Sequence, residues 1–238
     1  MAWEWHRELE ARQITLAVLA FLVVTIGGLV LLIPPYFLQS TITPIPGVKP
    51  YTALEQEGRD LYLREGCYTC HSQQVRPFKT ETDRYGAYSL AGESIYDRPF
   101  QFGSRRTGPD LARVGGKYAN SWHWIHFRNP RELETRSNMP AFAFLQETAL
   151  DTSLTRRKLE VLRGLGSPYS DAEIANAEAD ARAQMAKVVE SLRSGGITLS
   201  DLEARSEAVA LIAYVQRLGR DLASSGAPLA SAQVGGAR

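Results

Sequence analysis

Two thiols and an imidazole stand together at Cys67-Tyr-Thr-Cys70-His71. On a short loop, sulfurs at this spacing can bond along one edge of a flat macrocycle, and the next residue then carries its imidazole over the ring centre. This is the C-x-x-C-H pattern of covalent haem attachment, in which the thiols add across the haem vinyls and the histidine ligates iron. A redox dithiol and half of a zinc site share the C-x-x-C spacing. The sequence has no further cysteine to complete a zinc site, and no βαβ pattern surrounds the motif to suit a thioredoxin-like fold. One covalent haem c is therefore the expected cofactor, with Cys67 and Cys70 as thioethers and His71 as an axial ligand.

A second axial ligand should be a methionine or a histidine, and methionine raises the reduction potential while filling the site. Met139 is the preferred candidate, because Ser137-Asn-Met-Pro140 reads as a loop that lets the side chain reach across a haem. Met185 lies in an Ala-rich helical stretch and reads as a packing residue. His123 and His126 are spaced to share one helical face, so a bis-histidine haem or a small metal site is the alternative. A proximal histidine usually donates its other ring nitrogen to an acceptor that fixes its tautomer. Thr107-Gly-Pro109-Asp-Leu111 suits that role: Pro109 has a rigid φ and no N–H, its carbonyl can face the imidazole, and Leu111 can pack on the ring. Arg105 and Arg106 can pair with haem propionates or with an acidic partner.

These groups must be positioned by the rest of the 238 residues. Residues 14–33, ITLAVLAFLVVTIGGLVLLI, are free of charge and long enough to cross the roughly 30 Å core of a bilayer. The stretch exceeds the apolar region of a cleaved signal peptide, and Pro34-Pro35-Tyr36 follows it in place of a small-residue cleavage site. It reads as an anchor in membrane lipid after a cytoplasmic stub at 1–13. Having no ionisable side chain, it is not a proton or ion path. Arg7 and Arg12 precede it and only Lys49 follows closely, a bias that leaves the N-terminus in the cytoplasm. Haem attachment of this kind is extracytoplasmic and requires the same orientation. Prolines 34, 35, 44, 46 and 50 make residues 34–50 an extended linker.

Three capping boxes then announce helices. Thr52-Ala-Leu-Glu55 opens one that runs to about Glu65, Ser170-Asp-Ala-Glu173 opens an Ala-rich one that ends at Gly195-Gly196, and Ser200-Asp-Leu-Glu203 opens a third. Ala208, Leu211, Ile212, Val215 and Leu218 recur at helical spacing as a core stripe before Gly219. Residues 221–238 read as a flexible tail. With 27 basic and 26 acidic residues the formal charge is +1, so nothing recommends a nucleic-acid partner.

With C-x-x-C-H, a Gly-Pro-x-Leu turn and a Met-Pro loop in this order between helices, the chain resembles class I cytochromes c. Longer strings sharpen the likeness: Glu65-Gly-Cys-Tyr-Thr-Cys-His-Ser-Gln73, Arg76-Pro-Phe78, Arg84-Tyr-Gly86, Tyr88-Ser-Leu90, Pro99-Phe-Gln101, Arg106-Thr-Gly-Pro-Asp-Leu-Ala-Arg-Val-Gly-Gly116, Arg128-Asn-Pro130 and Leu162-Arg-Gly-Leu-Gly. These are similar to the mono-haem cytochrome c subunit, subunit II, of cbb3-type cytochrome c oxidases. The resemblance implies a mainly α fold, with a single N-terminal transmembrane helix followed by a class I cytochrome c-like domain at 51–220 with extra helices. It implies an insert at 73–106 facing a catalytic subunit, and Gly58 and Tyr62 where the first domain helix crosses the last.

The implied partners are a di-haem cytochrome c subunit, which delivers electrons, and the haem–copper catalytic subunit, whose b haem receives them. The chain would be a non-catalytic electron-transfer subunit in a bacterial inner membrane, its haem domain periplasmic. The stretch 187–204 is longer than the family pattern suggests, and Trp124-Ile125 stands where a more polar residue is expected. The small cytochrome subunit of a nitric oxide reductase, a free-standing anchored shuttle and a haem-based ligand sensor are the competing readings. The insert strings disfavour the first and its aromatic content the second.

Overall fold

A computed structural model describes residues 2–37, 43–103 and 105–224. Among these the chain is mainly helical and forms no strand beyond one isolated bridge between Ala149 and Ser206. It divides into two units, residues 1–43 and 44–238.

The first unit contains α1 (Ala2–Ala11) and α2 (Gln13–Phe37). The apolar side chains of α2, from Ile14 through Ile33, stand exposed. Residues Gln13–Pro34 are long and apolar enough to cross a membrane. One expectation is corrected here: Pro34 and Pro35 do not end the helix, which runs to Phe37. Proline fixes φ near the helical value, so a pair in the final turn forfeits hydrogen bonds without forcing the chain out of helical geometry. The linker therefore begins later than residue 34, and residues 38–42 lie outside the described ones.

The second unit is built on a crossing of two helices, α3 (Ala53–Arg64) and a later helix, Glu207–Arg217. The N-cap of α3 is closed by the Thr52 N–H donating to the Glu55 carboxylate at 2.8 Å. Gly66 ends it at φ +68°, a left-handed turn open to glycine at no steric cost. Between these two helices the chain adds α4 (Lys79–Tyr85), α5 (Asn120–Arg128), α6 (Phe144–Glu147), α7 (Thr155–Gly164), α8 (Asp171–Ala175) and α9 (Ala177–Ser194). The later helix is then α10 (Glu207–Arg217), and α11 (Arg220–Ser224) follows.

At the crossing, α10 buries Ala208, Val209, Ala210, Leu211, Ile212, Tyr214 and Val215. Gly58 lets the backbones meet: a Cβ there would lie 2.0 Å from the Ala210 carbonyl oxygen. Tyr62 packs on Tyr214 with ring centroids 5.4 Å apart. The expected crossing of the first and last domain helices at Gly58 and Tyr62 is thus present.

Two helix boundaries differ from expectation. The Ala-rich stretch is two helices, α8 and α9, broken at Asn176, which lets Ile174 and Ala177 both reach the core. Ser200 and Glu203 do form their capping box, with the Ser200 N–H donating to Glu203 at 2.8 Å, yet only a short turn at Glu203–Arg205 follows. The interruption has a tertiary cause. Leu150 N–H donates to the Arg205 carbonyl at 2.8 Å and Glu207 N–H to that of Thr148 at 2.9 Å, which holds Ser206 extended before α10 starts. The final turn, α11, carries buried Leu222, so ordered structure enters the stretch expected to be a tail. Residues 225–238 lie outside the described ones.

The stretch 73–106 is tied down by charge. Buried Glu81 accepts from Arg106 at 2.7 Å and from the Arg76 backbone N–H at 2.9 Å. Arg113 grips Glu93 through both guanidinium nitrogens, at 2.7 and 2.9 Å. Arg59 and Asp97 form a buried pair that links α3 to the same segment.

Arg106, together with Arg76, holds the Glu81 carboxyl down to about 2, against an ordinary 4.5. A carboxyl with a lowered folded pKa stabilises the fold fully above its unfolded pKa, and that contribution vanishes as pH falls through the folded value. Glu81→Gln is therefore expected to flatten the acid limb of stability between about pH 4.5 and 2. The removed pH dependence should amount to roughly 3 kcal/mol. Acid-unfolding curves of the two proteins, followed by circular dichroism, check this.

Candidate haem site

The site begins where α3 stops. Gly66 turns the chain, and residues Cys67–Thr69 form a single tight turn. Cys70 N–H and His71 N–H both donate to the Cys67 carbonyl, at 3.2 and 3.0 Å. Both cysteines are free thiols, half-buried, and Cys67 packs against the main core. Burial pushes the Cys67 thiol up to about 12.

A second segment lies along this turn. Gly108 N–H donates to the Cys70 carbonyl at 3.0 Å and Leu111 N–H to that of Ser72 at 2.8 Å. Between these two bonds the Pro109 carbonyl oxygen sits 2.8 Å from His71 Nδ1. A carbonyl only accepts, so Nδ1 carries the proton and Nε2 is left with a free lone pair. Gly108 makes this approach feasible: a Cβ on it would lie 2.3 Å from His71 Cε1. Burial lowers the His71 pKa and the Pro109 carbonyl opposes that shift.

Asp110 organises the turn. Its side chain is fully buried. It accepts from the Ser72 hydroxyl at 2.6 Å, the Gln74 N–H at 2.9 Å and the Ala112 N–H at 2.8 Å. Sequence reasoning treated this residue as a spacer between Pro109 and Leu111. The available signal was an aspartate directly after Gly-Pro, a residue type that commonly caps its own turn.

Leu111 and Met139 are both half-buried against the same core as Cys67. Met139 lies in a loop whose end is pinned by the Phe142 N–H donating to the Phe127 carbonyl of α5 at 2.8 Å. Met185 is buried in α9, as a packing residue would be. Arg105 is exposed. Arg106 is committed within the protein, donating to Ser72 at 2.7 Å, to the Gln74 carbonyl at 2.8 Å and to Glu81, with its guanidinium over the Tyr85 ring. His123 is buried, and burial pushes both His123 and His126 down to about 4. Among the described residues no cluster of three or more His, Cys, Asp and Glu side chains suits a metal ion.

The donor set fits a haem: two free thiols one turn apart, and next to them an imidazole whose Nδ1 is engaged and whose Nε2 can bind iron. Residues 6–222 match the family described as cytochrome c oxidase, mono-heme subunit/FixO. The chain belongs to this family. No curated protein matches it. A mono-haem oxidase subunit carries one haem and works within a multi-subunit oxidase, so other subunits of that complex are its partners. In this FixO-family chain the Gly-Pro turn, the Cys-x-x-Cys-His turn and the helix crossing at Gly58 are one hydrogen-bonded and packed unit. Tyr214 of α10 bonds the Gln73 amide at 3.0 Å, two residues past His71.

Proposed function

We propose that this chain is the electron-relay subunit of a cbb3-type cytochrome c oxidase. Cys67 and Cys70 hold one haem c as thioethers, His71 and Met139 are its axial ligands, and Leu111 packs on its face. When bound, the haem supplies a one-electron couple. Pro109 keeps the His71 ring in one tautomer and orientation, which leaves Nε2 free for iron. The Met139 thioether would ligate the haem iron, favour its reduced state and leave no room for a small ligand. Electrons arrive from a di-haem cytochrome c subunit and leave to the b haem of the haem–copper subunit, where oxygen is reduced and protons are pumped. The chain itself performs no oxygen chemistry. The α2 helix anchors it in a bacterial inner membrane, N-terminus in the cytoplasm and haem domain in the periplasm. The basic residues Arg7 and Arg12 ahead of the span support that orientation.

The observation that carries this reading is the Pro109 carbonyl on His71 Nδ1, one turn after two free thiols, in a chain of the mono-haem oxidase family. Gentle solubilisation, capture through a C-terminal tag and reduced-minus-oxidised spectra test it together with oxygen uptake. A c-type band with b-type haem and oxygen consumption is the expected result. Nitric oxide consumption without oxygen uptake would assign the chain to a reductase instead. Met139→Ala is expected to open the iron, so that the c haem binds carbon monoxide in the variant and not in the native protein. Carbon monoxide binding by the native c haem would exclude Met139 as a ligand.

A further inference from the structure

A buried charge stands beside the turn that carries His71. The Asp110 side chain is fully buried, and its hydrogen-bond partners are all donors: the Ser72 hydroxyl, the Gln74 and Ala112 N–H groups, and the Arg106 guanidinium at 3.4 Å. An acid ringed by donors alone is the ionised carboxylate, which only accepts. Burying a carboxylate costs far more than burying a neutral acceptor. Capping a turn calls for acceptors, so the charge itself is left to be explained.

Hydrogen bonds fix where that charge stands. Segment 108–111 is bonded to segment 70–72 at three points: the Gly108 N–H to the Cys70 carbonyl, the Pro109 carbonyl to His71 Nδ1, and the Leu111 N–H to the Ser72 carbonyl. Asp110 therefore directly follows the residue that orients the His71 ring. Its carboxylate lies 2.6 Å from the hydroxyl of Ser72, the residue after His71. Its counter-charge is shared, because the Arg106 Nη2 that faces Asp110 also lies 2.7 Å from Glu81. The Arg106 side chain is 22% exposed against 0% for Asp110, so water screens the cation more than the anion.

We propose that the Asp110–Arg106 pair sets the reduction potential of the haem, Asp110 lowering it and Arg106 limiting that effect. This rests on the haem reading above. Ferric iron carries one more positive charge than ferrous iron. A carboxylate fixed beside the proximal ligand therefore favours the ferric form, and a guanidinium there favours the ferrous form. Burial leaves both effects little screened.

The test uses the purified oxidase complex, with spectropotentiometry of the haem c band and electron paramagnetic resonance to report iron coordination. Asp110→Asn keeps the size of the side chain and removes its charge. Arg106→Gln removes the opposite charge, and Arg106→Lys keeps that charge while giving up the guanidinium's bonding pattern. The haem c potential is expected to rise in Asp110→Asn, to fall in Arg106→Gln and to stay near wild type in Arg106→Lys, with the coordination signature unchanged in all three. Loosening of the turn would move Asp110→Asn and Arg106→Gln in the same direction, so opposite signs separate charge from structure. An unchanged or lowered potential in Asp110→Asn would overturn the proposal, as would an unchanged or raised one in Arg106→Gln. So would a fall in Arg106→Lys equal to that in Arg106→Gln, or any shift that arrives with a lost axial ligand. If Asp110→Asn yields no haem-loaded complex, the two Arg106 variants decide. Absence of covalent haem from the wild-type chain would be a failure of the haem reading itself.

Discussion

Gly108→Ala is expected to lower the haem c content of the chain severalfold, since losing a group that orients a metal ligand typically costs about 10- to 100-fold in metal affinity or activity. The new Cβ would lie 2.3 Å from His71 Cε1 and 2.7 Å from Nδ1, well inside van der Waals contact. Either the ring moves off the Pro109 carbonyl or the turn moves away from Cys70, and both outcomes break the 2.8 Å bond that sets the tautomer. Gly108 has no positive φ, so the penalty is contact alone and not backbone strain. Gly164→Ala is the control, because a Cβ there meets nothing within 4 Å. Haem staining of the chain against its total amount gives the ratio, and equal ratios in the two variants would contradict the assignment.

Gly58→Ala has the second large effect, on the fold. Alanine in place of glycine within a helix would gain about 1 kcal/mol from propensity. Here its Cβ would lie 2.0 Å from the Ala210 oxygen and 2.8 Å from Tyr214 Cβ. Backbone atoms cannot swing aside, so α3 and α10 must part, and overpacking of this kind costs roughly 3 kcal/mol. The balance is a loss of about 2 kcal/mol, or about 4–8 °C in midpoint for a unit of this size. Thermal loss of the haem absorbance in the purified complex measures it. A midpoint at or above wild type would mean that the crossing is looser than described.

How much of this was legible in sequence depends on how local each feature is. The thiols and His71 lie on one short segment whose residue types name its chemistry, and Pro109, 38 positions on, was matched to them by what a proximal histidine needs, a rigid carbonyl acceptor. The start of α3 followed from its capping box, and the C-terminal end of α10 from an apolar stripe that stops before Gly219. The commitment of Arg106 was not legible, because its acceptors Ser72 and Glu81 lie 34 and 25 positions away and three other acidic side chains are equally plausible on sequence alone. Nor was the break before Glu207. The capping box at Ser200 is genuine, but pairing with residues 148–150 outweighs one more turn of helix. The orphan ring nitrogens of His123 and His126 become visible only once burial is known.

The most direct test of the central claim is haem-peroxidase staining of the complex after full denaturation in detergent, alongside the intact mass of the chain. Thioethers survive denaturation, so the band of this chain is predicted to stain and to carry the mass of one haem, and a Cys67→Ala, Cys70→Ala double variant to lose both signals. An unstained band with the bare polypeptide mass would contradict the account at its root.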